Sequence, residues 1–276
     1  MPLYTLIQTR TEESHRSRVI AGNNVLNALF VVCAAVLAIV LLDRGLGIPQ
    51  LFLAAALLNA AVAIYIYTLV PEFLMRFLIW LLVHSVYRLD KSGLEHIPES
   101  GAAILVSNHV SYVDALVIAA ACPRPVRFVM DHQIFKIPVL SFIFRTGRAI
   151  PIAPAREDPD ALERAYDQIA RALEEGDLIG IFPEGKITYD GQLNPFRPGV
   201  KRIVDRTPVP VVPLALRGLW GSFFSRHEGP AMTKWSRILK RIFSRIALVA
   251  ARPVPAREVT PELLHGIVLQ LRGDRL

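Results

Sequence analysis

The sequence predicts an α/β domain, a mixed sheet flanked by helices, preceded by an N-terminal transmembrane helical hairpin. Three observations carry this expectation. Val25 to Leu42 and Leu51 to Val70 hold no charged residue, and at about 1.5 Å per residue they cover roughly 27 and 30 Å, enough to cross a hydrocarbon core. From Lys91 onward, short apolar runs alternate with amphipathic stretches, the pattern of strands interleaved with helices. Hydrophobic residues make up 53% of the 276 residues and the mean hydropathy is +0.39, with the excess concentrated near the N-terminus.

The elements follow in order. Asp43 to Gln50, with Gly45, Gly47 and Pro49, turns the chain back between the two spans. Arg10, Arg16 and Arg18 precede the first span, only Arg44 lies in the connector, and Arg76, Arg88 and Lys91 follow the second. That asymmetry places both ends of the hairpin in the cytoplasm. A cleaved signal peptide is not expected, because the first apolar run starts after a mixed polar stretch and is too long for an h-region. Phe73 to Tyr87, interrupted by Arg76 and His84, reads as an interfacial helix. The chain thus divides into a membrane anchor over residues 1–90 and a second domain over residues 91–276.

In that second domain the expected strands are Ala102 to Ser107, Val126 to Met130, Ala149 to Ile152, Leu178 to Phe182, Val209 to Leu216 and Ile246 to Ala250. Helices are expected over Val113 to Ala121, Ile134 to Arg145 and Pro159 to Glu175. The last is the clearest, with Leu162, Ala165, Tyr166, Ile169 and Leu173 on one face and Pro159 near its start. There is no internal repeat or low-complexity tract.

Cys33 and Cys122 are the only cysteines, so a disulfide framework is not expected. No CxxC or HExxH occurs, and no metal site is predicted. A net charge of +7 and a pI near 9.7 fit either nucleic acid or an anionic membrane; two spans favour the membrane, and no nucleic-acid partner is expected. Lys234 to Arg245 carries five cations and no acid, with Lys234, Arg237, Arg241 and Arg245 at helical spacing and Ile238, Leu239 and Ile242 on another side. It reads as an interfacial helix facing anionic lipid or an acidic carrier protein.

The chemistry points to Asn108-His109-Val110-Ser111-Tyr112-Val113-Asp114. On one continuous helix, His109 and Asp114 would diverge by roughly 140°. If a buried strand ends at Ser107, His109 occupies the turn, Asp114 opens the next helix, and the two face each other. A carboxylate there holds one imidazole nitrogen protonated and leaves the other free to take a proton from a hydroxyl. The competing reading is a surface loop in which Asp114 is only a helix N-terminal charge. Phe182-Pro183-Glu184-Gly185-Lys186 ends another strand and offers a carboxylate, a flexible backbone and a cation, a plausible phosphate site or an ordinary turn. In Val209-Pro210-Val211-Val212-Pro213 two prolines flank an apolar strand and restrict it to an edge or bulge, a role of shape more than chemistry.

These three pieces resemble the glycerophospholipid acyltransferase family, which includes the 1-acylglycerol-3-phosphate acyltransferases, over roughly Leu94 to Val254. The resemblance implies that His109 and Asp114 are catalytic. It implies that Asn108, Ser111, Phe182, Pro183, Glu184, Gly185, Lys186 and Pro213 belong to the substrate-binding blocks. The family's second block runs from a glycine to an arginine six positions on; here Gly147 is followed at that distance by Ala153, with Arg148 and Arg156 as nearby substitutes. Lys186-Ile187-Thr188 also replaces a more common Thr-Arg. Both departures, and Trp220 to Phe224, are closer to the 2-acylglycerophosphoethanolamine acyltransferase branch. Pro2 to Phe73 resembles the last two helices of a major facilitator lysophospholipid transporter, which alone can serve only as an anchor.

The implied activity is transfer of a fatty acyl group from acyl carrier protein or coenzyme A thioester to the free hydroxyl of a lysophospholipid, in phospholipid biosynthesis or remodelling. The acceptor is of the 1-acylglycerol-3-phosphate or 2-acylglycerophosphoethanolamine type. No cofactor beyond the thioester substrate is expected, and the partners are membrane lipids and the donor. The expected location is the bacterial inner membrane, with the catalytic domain facing the cytoplasm. Ser111 is a local hydrogen-bonding residue rather than a nucleophile in this reading. Two alternatives are a non-catalytic lysolipid-binding remnant of a transporter fusion and a serine lipid hydrolase.

Overall fold

The computed structural model describes residues 13–69, 71–227, 229, 231 and 243–274. These fall into two compact units, one ending at Leu69 and one comprising the residues after it. The first unit consists of helices α1 (Glu13–Asp43) and α2 (Ile48–Leu69). Both are long and apolar enough to cross a membrane, and their apolar windows are not buried within the protein.

The second unit is built on a seven-stranded mixed sheet. In chain order it contains α3 (Pro71–Val86), β1 (Tyr87–Ser92), β2 (Ala103–Ser107), α4 (Asp114–Ala121) and β3 (Val126–Asp131). It continues through α5 (Pro138–Thr146), β4 (Ile150–Ile152), α6 (Pro159–Glu174) and β5 (Leu178–Ile181). Next come α7 (Gly199–Arg206), β6 (Val211–Arg217), β7 (Ser244–Ala250) and α8 (Pro261–Arg272). The spatial order is β1-β7-β6-β2-β5-β3-β4. β6, β2, β5, β3 and β4 run parallel to one another, β7 pairs antiparallel with β6, and β1 lies parallel to β7 at the edge.

Pleating sends alternate residues of each strand to opposite faces. Leu105, Leu178 and Val212 enter one core layer beneath α3 and α4. Ile104, Val106, Ile179 and Val211 enter the other beneath α6, α7 and α8. Because both faces are covered, β2 is buried along its whole length, which is why it reads in sequence as an unbroken apolar run. The α6 stripe of Ala165, Tyr166, Ile169 and Leu173 is buried as its periodicity predicts.

Several expectations require correction. The boundary predicted between residues 90 and 91 cuts β1. Residues from Pro71 onward belong to the second unit because Ile79, Val83 and Tyr87 pack into its core. The predicted interfacial helix is accordingly an element of the domain, although Phe77, Leu78, Trp80, Leu81 and Leu82 on it stay exposed. Ile134 to Arg145 is not one helix. A 3-10 turn over His132–Lys136 precedes α5, which starts at Pro138, a residue suited to a first helical turn and hostile to a helix interior.

β6 is an interior strand, not an edge or bulge. Pro213 is tolerated there because it lies where the β7 ladder runs out: that ladder starts at Leu214, and the Pro213 carbonyl still accepts from Ala251 N at 2.9 Å. Only one donor is missing, and at the ladder's end. Of the basic stretch, Lys234 to Ile242 lies outside the described residues, while Ser244 and Arg245 open β7.

Candidate active site

β2 ends at Ser107, the chain turns through His109, and Asp114 opens α4. The turn is held shut by one carboxylate. Asp114 Oδ2 accepts from Val110 N at 2.6 Å and Ser111 N at 2.9 Å, and Oδ1 accepts from the Ser111 hydroxyl at 2.6 Å. The same Oδ2 lies 2.8 Å from His109 Nδ1. Asp114 is fully buried, whereas the His109 side chain is 22% exposed. A buried carboxylate facing Nδ1 assigns the ring proton to that nitrogen, which leaves Nε2 as a lone-pair acceptor.

A second carboxylate, in the loop that follows β5, grips the same turn. Glu184 Oε1 accepts from His109 N at 2.7 Å, and Oε2 accepts from Asn194 N at 2.8 Å and Asn194 Nδ2 at 2.7 Å. Glu184 is 2% exposed. Burial pushes its carboxyl above the ordinary range, against the opposing pull of the hydrogen bonds from Asn194 and His109. Thr188 N donates to the His109 carbonyl at 3.0 Å, so both backbone polar groups of His109 are taken.

The imidazole is also packed flat. Its ring stacks on Phe182 with centroids 4.3 Å apart and planes 16° from parallel, and Phe182 in turn stacks on Phe128. Gly180 makes the row possible, since a Cβ there would sit 2.6 Å from the Phe128 ring. Gly185 has φ of +65°, a conformation that favours glycine. A side chain there would also strike the Arg197 guanidinium at 2.7 Å.

Of the residues predicted to bind substrate, five are buried and do other work. Asn108 bridges to β6, donating from Nδ2 to the Leu216 carbonyl at 3.0 Å and accepting from Leu216 N at 2.8 Å. Ser111 is fully buried and committed to Asp114. Pro183 and Glu184 are buried behind His109, and Pro213 is buried in β6. These positions shape the site; they offer no surface to a ligand. Gly185 and Lys186 are exposed beside the turn, and Phe182 lies against the imidazole.

Gly147, Arg148 and Arg156 are exposed but flank β4, three strands from β2 and therefore roughly 14 Å away across the sheet. Arg148 Nε lies 3.7 Å from Glu72 Oε1. Ala153, where the family pattern has arginine, is 2% exposed. A cleft of about 420 Å³ on this side is lined by His132, Phe135, Lys136 and Arg145 and does not contain His109.

Sequence reasoning overlooked Asn194, Arg197, Tyr112, Tyr189 and Arg226. The proline-bounded run Asn194-Pro195-Phe196-Arg197-Pro198, which follows the Phe182 to Lys186 block after the stretch 187–193, is a legible signal for the first two. Arg226 carries no local signal. It reaches the site because Ser225 bridges to Ser111 and Phe224 accepts from Tyr112 N at 3.1 Å.

A histidine held by a buried carboxylate thus stands at the ends of the parallel strands of a mixed α/β sheet, with one ring nitrogen available as a proton acceptor. Residues 88–217 match the family described as Acyltransferase. It is 31% identical over 137 residues to a chloroplastic 1-acyl-sn-glycerol-3-phosphate acyltransferase of Brassica napus, covering 49% of this chain and 39% of that protein. An N-acylphosphatidylethanolamine synthase of Arabidopsis thaliana is 30% identical over 60% of this chain and 65% of its own length. A mouse 1-acyl-sn-glycerol-3-phosphate acyltransferase alpha is 25% identical over 72% of this chain and 70% of its own. The chain therefore spans about two fifths of the length of the Brassica relative. The crystal structure of a Thermotoga maritima 1-acyl-sn-glycerophosphate acyltransferase shares the fold, with a TM-score of 0.53, 20% identity and coverage of 67% of this chain and 70% of that one.

Proposed function

We propose that this protein transfers a fatty acyl group from a thioester, acyl carrier protein or coenzyme A, to the free hydroxyl of a lysophospholipid. The observation that carries the reading is the His109–Asp114 pair, with Nδ1 facing a buried carboxylate and Nε2 left for a substrate. As the acceptor hydroxyl oxygen attacks the thioester carbon, its proton passes to Nε2, and Asp114 stabilises the imidazolium. The new C–O bond forms, the C–S bond breaks, and the imidazolium returns the proton to the departing thiolate. No acyl-enzyme is required, and the exchange is redox-neutral, so no cofactor is needed.

Glu184, by holding the His109 amide, is a positioning residue in this scheme. The Ser111 hydroxyl donates to Asp114 inside the protein, which disfavours the serine hydrolase alternative. α1 and α2 are proposed as the anchor, in a bacterial inner membrane with the domain on the cytoplasmic side. The excess of Arg and Lys outside the connector supports that orientation.

The test supplies purified protein with labelled palmitoyl-coenzyme A or palmitoyl-carrier protein and a panel of lysophospholipids, and identifies products by mass. The expected result is a diacyl product that His109→Ala abolishes while the fold is retained. Equal transfer by that variant overturns the catalytic assignment, and a trapped acyl-serine with release of free fatty acid supports the hydrolase instead.

A further inference from the structure

The acceptor's phosphate has no arginine where the family pattern supplies one, because Ala153 stands there and is buried. Arg148 is turned to Glu72 at the far edge of the sheet. Besides Lys186, the fold brings a cation to the histidine's turn from another loop. Arg226 Nη2 donates to the Tyr112 hydroxyl at 3.1 Å, and its guanidinium carbon lies 4.4 Å from the Tyr189 ring centroid and 5.9 Å from that of Tyr112.

Both tyrosines sit on segments tied to His109. Tyr112 is in the same turn, and Tyr189 follows Thr188, whose N–H donates to the His109 carbonyl. Both are well exposed, at 46% and 68%, so the cluster forms part of the solvent-facing rim of the site.

We propose that Arg226, held by Tyr112 and Tyr189, is the binding site for the phosphate of the lysophospholipid acceptor. The Tyr189 ring lies over one face of the guanidinium and Nη2 donates to the Tyr112 hydroxyl, which leaves the opposite edge of the plane for a ligand. Such an edge is what a phosphate engages, in a charge-assisted contact. Among the described residues no carboxylate pairs with Arg226. Reach favours the acceptor over the donor: the acceptor hydroxyl must meet His109 Nε2, and its phosphate lies only a few bonds from that hydroxyl. The nearest phosphate of the donor lies at the other end of the pantetheine arm from the thioester. Two tyrosines already filled by an arginine also leave no aromatic cage for an ammonium headgroup, so recognition falls on the phosphate.

This inference rests on the acyl-transfer reading, and its test separates the two. In dodecyl maltoside micelles with palmitoyl-coenzyme A, the acceptors are 1-palmitoylglycerol 3-phosphate, 2-palmitoylglycerophosphoethanolamine and phosphate-free monopalmitoylglycerol. Arg226→Gln is expected to raise KM for the two phosphate-bearing acceptors roughly 10- to 100-fold. The effect on monopalmitoylglycerol should be at least tenfold smaller, and Arg226→Lys should restore part of the loss. An equal effect on all three acceptors, a shift in donor KM instead, or no shift overturns the proposal.

Tyr189→Ala, which removes the stacking partner and spares the arginine, should move acceptor KM in the same direction by less. Without donor, calorimetric titration of the parent and Arg226→Gln with hexanoylglycerol 3-phosphate measures binding whether or not turnover occurs. A tenfold or greater weakening supports the site even if the acyl-transfer reading fails, and unchanged binding overturns it.

Discussion

In the turn from Asn108 to Asp114, one buried carboxylate gathers two backbone N–H groups, a hydroxyl and an imidazole. Between Gly147 and Arg156, by contrast, the two arginines are exposed at either end of an edge strand. Both stretches were marked by the same family pattern, yet only the first is organised around the histidine. The difference is physical. A general base needs a fixed ring in a partly desolvated setting, which residues close in sequence can build for one another. A phosphate needs only a cation within reach, and any loop that the fold delivers can supply it.

The largest test of this contrast is in the turn. His109→Ala should lower kcat/KM by roughly 10²- to 10⁴-fold, and Asp114→Asn should fall in the same range with the fold kept, read by steady-state kinetics beside a thermal melt. Asp114→Ala should additionally cost about 2–4 kcal/mol in denaturant unfolding, because the N–H groups of Val110 and Ser111 are left unsatisfied in a buried setting.

Glu184 comes next. Glu184→Ala orphans the His109 and Asn194 amides and should lower kcat about tenfold or more while leaving the acceptor KM within a few-fold. Its titration has a defined sign. Burial raises the folded carboxyl above its ordinary 4.5, so the folded state holds the proton more tightly than the unfolded chain. The associated stability is whole below 4.5 and is lost as pH rises through the folded value. Glu184→Gln, with no proton to lose, should therefore gain in Tm relative to the parent as pH rises from 4.5; a difference independent of pH would remove this account.

On the other side of the comparison, Arg148→Gln and Arg156→Gln should change acceptor KM by no more than about threefold, since exposed charges far from the site contribute little. A tenfold rise for either would return the second block to the site and erase the contrast. The smallest effect concerns Cys122, whose thiol burial pushes up to about 12. It should resist iodoacetamide at pH 8 in the folded protein and react after denaturation, as counted by mass.

How much was legible varies with the locality of the signal. The apolar runs ending at Ser107 and Ile181 are strands because both faces of the sheet are covered there, and unbroken hydrophobicity over four to eight residues announces that; the run ending at Ala250 buries alternate residues. β1 escaped notice because Tyr87 to Ser92 continues directly from α3 and carries Arg88, Asp90 and Lys91, as a sheet edge tolerates. α8 was legible and overlooked: Thr260 caps it through Leu263 N at 3.1 Å, and Pro261 follows. α7 is short, with Val200, Ile203 and Val204 as its buried stripe, and follows Pro198, which reads as loop.

The sequence by itself determined the two apolar helices, the α/β alternation and the His109–Asp114 turn, because each depends on residues within a few positions of one another. Only the tertiary structure decided that Glu184 turns inward to hold His109, that Pro213 sits inside the sheet, and that Arg226 meets Tyr112 and Tyr189. Those outcomes depend on strand order and loop docking, which bring together residues up to 114 positions apart. No local propensity encodes such a meeting; it is set by which faces of the sheet must be covered and which loops are left at its edge.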